Sequence, residues 1–331
     1  MGEAEKEILF LIQGRNVASS RYRILQYLPY LNRENIKTEV ADFARKASEW
    51  PKVLKKVRKS DVLVIQRKQI GFMKTKMLKK ISRKIVYDFD DTLWVKSARH
   101  GKNQSMSRNL KFKWMVDLAD EVIAGNTFLA ERALKYNPNV TVIPTPLDLS
   151  RYSIRSYPNT SDEVIIGWIG AHGSIHYLKR IIPILEKIHA MNPKIRLKVI
   201  CDTFPSSRTL PIEKVTWNEK TEVDHLKTMD IGLMPLMEDE WSRGKCGLKV
   251  LQYFAVGIPA VATPVGINRD IVKDGETGFW ARTEKEWIDR ILLLASDPSL
   301  RRTMGLKARE TVENHYSVEA CYPIFKKVLT A

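Results

Sequence analysis

Short strand-like runs, many of them continuously apolar, recur along this chain, most followed by a turn and then by a stretch with helical spacing. Glu7–Gln13, Thr38–Asp42, Asp61–Gln66, Lys84–Tyr87, Glu121–Ala124 and Val140–Ile143 supply six in the first half. Val164–Trp168, Arg196–Cys201, Val215–Trp217, Ile231–Pro235 and Pro259–Thr263 follow. A strand that is apolar on both faces has to be covered on both, and strands alternating with helices achieve this as a parallel, doubly wound sheet. The expected class is therefore α/β. At 331 residues, 44% of them hydrophobic, the chain is long enough for two such domains. The polar, turn-rich stretch Tyr152–Asp162 marks the boundary between 1–155 and the second domain, which begins at 156.

The densest concentration of signals is Ser242–Arg269. Gly244 and Gly247 leave a helix N-terminus with little side-chain cover, and Arg243, Lys245 and Lys249 place three cations around it. Backbone N–H groups and the helix dipole favour an anion at such a point. The helix runs from Gly247 to Phe254, Gly257 caps it, and Pro259 prevents continuation. On spacing alone, an ordinary αβ unit with solvated charges explains the same residues. Gly170-Ala-His-Gly-Ser174 repeats the pattern of strand, glycine loop and helix, with His172 either a ligand or a plain loop histidine.

Two features of the first half bear on chemistry. Asp88-Phe-Asp-Asp91 closes the fourth strand with three carboxylates in four residues, suited to a metal, to proton chemistry, or to helix capping. Gly14 ends the first strand ahead of a helix expected over Arg21–Leu31, capped by Ser19 or Ser20. Arg21 and Arg23 then fall in its first turn, where cations are unfavourable unless an anion is near.

The run from Gly247 resembles the donor-site segment of GT-B glycosyltransferases of the retaining family 4, whose pattern is Glu-Gly-Phe-Gly-Leu-Pro-x-x-Glu-Ala-x-Ala-x-Gly-x-Pro-Val-Val-Ala-Thr. Gly247, Leu248, Ala255, Gly257, Pro259, Val261, Ala262 and Thr263 fall in register with it. Asp270-Ile-Val-Lys-Asp-Gly-Glu-Thr-Gly278 resembles another segment of the same family, and Ile143-Pro-Thr-Pro-Leu-Asp148 is what its first domain shows before the linker. The resemblance implies two Rossmann-like domains facing each other across a cleft, 156–315 binding a nucleotide sugar, and 316–331 crossing back to the first domain. It also implies retaining transfer to a lipid-linked or polysaccharide-type acceptor, as in cell-envelope synthesis, with no metal or other cofactor.

This sequence departs from the family at several places. The two family glutamates correspond to Gly244 and Gln252, with Glu238 and Glu240 close upstream. The Arg and Lys that contact the donor diphosphate correspond to Trp168 and Gly173, and the histidine near the donor sugar corresponds to Asp90. Subgroups resembling this chain share Trp-Ser-Arg-Gly-Lys-Cys-Gly, found here at 241–247. Asp90 and Gln252 are the catalytic candidates. Gly170, His172, Gly173, Arg243, Lys245, Gly247, Leu248, Lys249 and Thr263 are the donor-side candidates, and Gly14, Arg21 and Arg23 the acceptor or phosphate side.

Charge adds a partner. Of the net charge of +17, +15 sits in the first domain, where residues 1–155 hold 31 Lys and Arg against 16 Asp and Glu. Residues 51–84 alone hold 13 basic residues and one acid. Such a patch attracts anionic lipid; nucleic acid is not the expected partner, since no recognition module or stacking platform accompanies the charge. The N-terminal segment does not read as a signal peptide, no apolar run reaches the length of a membrane span, and three scattered cysteines fit a reducing compartment. The expected location is cytoplasmic, peripheral on the membrane face. The rival readings are a nucleotide-sugar epimerase or hydrolase on the same fold, and a non-catalytic basic protein binding membrane or nucleic acid.

Overall fold

The computed structural model describes residues 6–44, 46–96, 104–157 and 162–331. The chain forms two units, one drawn from 1–146, 239–246 and 318–331, the other from 147–238 and 247–317. The first break, at Pro146–Leu147, precedes the linker expected from composition. Pro158–Ser161, part of that linker, lie outside the described residues.

In the first unit, β1 (Glu7–Ile12), β2 (Lys37–Asp42), β3 (Val62–Gln66), β4 (Lys84–Phe89), β5 (Glu121–Ala124) and β6 (Val140–Val142) form one parallel sheet in the order β2-β1-β3-β4-β5-β6. Two short helices, α1 (Ala18–Arg23) and α2 (Leu28–Arg33), link β1 to β2. Then α3 (Trp50–Lys59), α4 (Phe72–Ile81), α5 (Met106–Leu118) and α6 (Thr127–Ala133) each link successive strands. Leu9, Leu63, Tyr87 and Phe89 pack under α3 to α6 on one sheet face. Ile8, Phe10, Val64 and Val86 face α1, α2 and the C-terminal helix on the other.

The single helix expected over Arg21–Leu31 is broken. A 3-10 turn at Leu25–Tyr27 separates α1 from α2, and Pro29, which has no N–H to continue a helix, sits in the first turn of α2. Val17, not a serine, precedes α1. Ser20 lies inside the helix and donates to Gln66 Oε1 at 3.1 Å. Arg21 and Arg23 therefore fall in the last turn of α1, the end that suits cations. Arg23 is 2% exposed and donates to Asp88 Oδ1 at 2.5 Å and to the Ile143 carbonyl at 2.6 Å. β4 runs two residues further than the apolar pattern suggests, so Asp88 is a sheet residue, fully buried. Burial pushes its carboxyl up and Arg23 opposes that rise.

The second unit opens with β7 (Val164–Ile169), α7 (Ile175–Met191), β8 (Ile195–Cys201), β9 (Ile212–Thr216), α8 (Glu222–Lys227) and β10 (Ile231–Met234). The chain then enters the first unit for one short helix, α9 (Glu240–Arg243), and returns at Gly247. There follow α10 (Leu248–Ala255), β11 (Ala260–Ala262), α11 (Asn268–Ile271), β12 (Gly278–Trp280), α12 (Glu284–Ser296) and α13 (Pro298–His315). The sheet is parallel, in the order β12-β11-β10-β7-β8-β9; β12 has no counterpart among the runs read from the sequence. Tyr253 of α10 accepts from the Ile169 N–H at 3.1 Å and donates to the Leu233 carbonyl at 3.2 Å, tying the helix to β7 and β10.

The last helix, α14 (Val318–Thr330), belongs to the first unit. Phe325 stacks on Tyr27 at 4.1 Å between ring centroids, and Lys84 donates to the Val328 and Ala331 carbonyls at 2.8 Å each.

The Arg23–Asp88 pair yields a stability prediction. Arg23→Met strands a fully buried carboxylate and is expected to cost about 3–5 kcal/mol, most of it recovered in Arg23→Met/Asp88→Leu. Urea unfolding of the three proteins measures this; a single variant within about 1 kcal/mol of the parent would refute the pair's role.

Candidate functional site

The C-terminal edge of the first sheet gathers charge. After β3, Arg67 adopts a left-handed backbone (φ +62°), uncommon for a residue with a side chain. It donates to Asp91 Oδ2 at 2.7 Å and lies 3.3 Å from Asp90 Oδ1. Lys245, from the returned segment, reaches the two Asp91 oxygens at 3.2 and 3.3 Å. Burial would raise the Asp91 carboxyl, but Lys245 and Arg67, helped by the Thr92 N–H, hold it below the usual carboxylate range. Asp90 is less committed: its Oδ1 sits at ion-pair distance from Arg67 without hydrogen-bond geometry. Gly14 (φ +148°) and Arg21 stand after β1 at the same edge, Arg21 against the Tyr22 ring at 5.5 Å. Arg23 is consumed by Asp88, so the acceptor or phosphate role expected for it does not survive.

Packing explains why the returned segment has its composition. Cys246 Sγ donates to the Asp90 carbonyl at 3.2 Å, and burial, with Asp90 adding, pushes its thiol up, leaving a protonated donor and not a nucleophile. Asn126 Nδ2 donates to the Lys245 carbonyl at 3.0 Å while its Oδ1 caps α6 at Leu129. A side chain at Gly244 would begin 1.9 Å from Thr92 Oγ1, so the first family glutamate cannot be accommodated. Glu240, its suggested substitute, accepts from Trp94 Nε1 at 2.5 Å.

In the second unit a different set meets at the ends of β7, β10 and β11. Gly247 (φ +70°) begins α10; a Cβ there would meet Ile271 Cδ1 at 2.2 Å. In the first turn of α10, Lys249 lays its stem against Gly170, where a Cβ would stand 2.8 Å from Lys249 Cε and 2.4 Å from Trp168 Cη2. Its ammonium is 5.2 Å from the Trp168 ring centroid. Trp168, at the place of the family arginine, is thus a buried ring beneath the loop. Gly173 has open space on its Cβ side. His172 is 66% exposed; both its N–H and Nδ1 lie 2.7 Å from the Asp202 carboxylate, which makes Nδ1 the donating nitrogen and leaves Nε2 for a ligand. Bonding to His172 holds Asp202 below the usual range.

Several expected members of this site do other work. The Arg243, Lys245 and Lys249 cluster is divided: the first two belong to the first unit, and Lys245 is engaged by Asp91. Arg243 is exposed at the end of α9. Gln252 is 4% exposed and donates inward to Tyr152 Oη at 3.3 Å, so it does not present its amide to a ligand. Thr263 accepts from the Leu236 N–H at 3.2 Å and ties β10 to β11, while Leu248 opens the helix. Arg67 and Asp202 escaped sequence reasoning. Each stands just after a strand in a parallel sheet, the position where such folds place functional groups.

Lys245→Met tests the ion-pair cluster. Because Asp91 titrates lower in the folded protein than in the unfolded chain, about 3.9 there, its contribution is fully present above that value. It is lost as pH falls through the lower folded value. Removing Lys245 is expected to cost about 1.5–3 kcal/mol at neutral pH and to move acid unfolding to higher pH. Circular dichroism across an acid titration reads this, and an unmoved midpoint would dissolve the assignment.

Known proteins resemble this chain in sequence over part of its length and in fold over nearly all of it. Residues 163–297 match the family model of Glycosyl transferases group 1. A trehalose synthase from Pyrococcus horikoshii is 33% identical over 72 residues, 22% of this chain and 17% of the relative. An N-acetyl-alpha-D-glucosaminyl L-malate synthase from Bacillus anthracis is 32% identical over 75 residues, 22% of this chain and 20% of the relative. The matched stretch is thus a fifth or less of each relative. Among solved structures, Anabaena HepE in complex with UDP and glucose superposes with a TM-score of 0.73 at 14% identity, covering 98% of this chain and 99% of the other. Sucrose-phosphate synthase from Thermosynechococcus elongatus gives 0.70 at 14%, covering 98% of each. The two parallel six-stranded sheets with flanking helices are the GT-B fold.

Proposed function

We propose that this chain is a retaining glycosyltransferase: the second unit binds a nucleotide sugar, and the first binds a lipid-linked or polysaccharide-type glycan acceptor. It proceeds from the group 1 glycosyl transferase match at 163–297 and from the shared fold. The observation that carries it is the meeting of Gly170, Lys249 and the N-terminus of α10, a helix end with an adjacent cation that the sequence pattern alone left ambiguous. Backbone N–H groups of Gly247 to Lys249, with the Lys249 ammonium, stabilise the negative charge that develops on a departing diphosphate. His172, oriented by Asp202, adds a second polar contact from the β7 loop. No metal is assigned to this step. Asp90 is the catalytic carboxylate of the reading: its Oδ1 is buried 3.3 Å from Arg67, and its second carboxylate oxygen accepts from a sugar hydroxyl. A front-face displacement needs no protein nucleophile, which suits a site without the family glutamates. HepE was crystallised with UDP-glucose, so UDP-sugars are the first donors to assay.

Lys249→Ala is expected to weaken UDP binding by about 1.5–3 kcal/mol, roughly 10- to 150-fold, in calorimetry carried out with EDTA present. Unchanged affinity, or binding that needs a divalent ion, would remove the cradle as drawn.

Asp90→Asn is expected to lower transfer by about a hundredfold or more while leaving UDP affinity within a factor of about two. Full activity in this variant would return Asp90 to a purely structural role. Release of free sugar at the same rate with and without acceptor would favour hydrolysis on the same fold.

A further inference from the structure

We infer that the outer face of the α3, α4 and α5 layer docks on an anionic lipid bilayer. The inference goes beyond the transfer reading and does not rest on it. Charge along the sequence points to a polyanion of some kind; the folded surface narrows the choice. Part of the basic excess of residues 51–84 is used internally. Lys56 pairs with Glu39 at 2.5 Å, Lys79 with Asp120, Arg83 with Asp61, and Lys84 with carbonyls of the last helix. Lys52, Lys55 and Lys59 on α3 and Lys74, Lys76 and Lys80 on α4 remain exposed.

Beside these lysines stand apolar side chains that folding leaves in water. Met73 is 78% exposed and Met106 81%, with Phe72 at 38% and Leu110 at 42%. Phe72, Met73 and Met106 occupy the first turns of α4 and α5 and Leu110 the second turn of α5, and the two helices adjoin: the Phe72 ring is 5.4 Å from Trp114, and Gln69 Nε2 lies 3.2 Å from both the Leu93 and Arg108 carbonyls. Cations and rings interleave, with Lys76 4.6 Å from the Phe72 centroid and Lys74 4.7 Å from that of Trp50. This is the composition of an interfacial surface. Lysine heads meet lipid phosphates while Met and Phe reach the acyl boundary. A nucleic-acid backbone would satisfy the lysines but has no use for two projecting methionines, and Lys76 lies over the ring a base would stack on. Among the described residues, no helix is long and apolar enough to cross a membrane, so the attachment is peripheral. The first turns of α4 and α5 follow β3 and β4, at the sheet edge that carries Arg67 and Asp90. Docking there brings those groups close to the lipid surface.

Co-sedimentation of the full chain with phosphatidylcholine vesicles, alone or mixed with phosphatidylglycerol, tests the inference. Binding is expected only with the anionic lipid and is expected to fade as salt rises. Lys74→Glu/Lys76→Glu/Lys80→Glu should weaken it by more than about tenfold. Lys220→Glu/Lys285→Glu/Lys307→Glu, the same charge change on exposed residues of the second unit, should leave it intact. Met73→Ser/Met106→Ser should keep low-salt capture and lose quenching of tryptophan fluorescence by brominated lipid. Equal binding to neutral vesicles, no binding to either, or equal loss in both charge variants would overturn the proposal. So would displacement of the vesicles by an oligonucleotide, or a self-association abolished by the methionine variant. None of these readouts involves sugar transfer, so either reading can fail while the other stands.

Discussion

Behind the end of β4, the Asp91 carboxylate is gripped by Arg67 from the neighbouring strand end and by Lys245 from a segment 154 residues further along the chain. A carboxylate this buried is tolerable only because two cations and a backbone N–H surround it. The contact lies at the end of the excursion of residues 239–246, just before the chain re-enters the second unit at Gly247. α10 begins at that glycine, and its N-terminus is the centre of the proposed diphosphate cradle. The electrostatics of the first unit and the phosphate chemistry proposed for the second are thus joined along five residues of chain.

Packing within each unit accounts for two departures from the family pattern. With Gly244 pressed on Thr92 and Gln252 turned inward to Tyr152, neither glutamate position carries an acid. Within the first unit, Asp90 and Asp91 lie beside Arg67, and Lys245 pairs with Asp91.

How much of this the sequence disclosed follows from the range of each signal. Apolar runs are local, so nearly every strand was placed within two residues, and Glu121–Ala124 without error. The α10 helix with its glycine start and its Gly257 end was equally plain, since glycine and proline punctuate locally. Long-range partners left no such trace. Lys245 looked like a member of one cationic cluster with Lys249, four residues away, because periodicity cannot show that the chain changes units between them. Arg23 looked like a residue facing an anion because the helix was expected to start at Arg21, and only the sheet position of Asp88 buries it. Arg67 carried no motif at all, and its backbone conformation is not something composition encodes.

The first unit is assembled from three separate stretches of chain, the last of them α14. That helix supplies Phe325 to stack on Tyr27 and closes an apolar face containing Ile8, Phe10 and Leu31. During synthesis, β1 and α2 leave the ribosome nearly three hundred residues before the helix that covers them. The unit that starts first is therefore finished last, and its open apolar face persists while the whole of the second unit is made. Such a chain depends on the second unit folding promptly, or on a chaperone shielding that face, for the interval between the two ends.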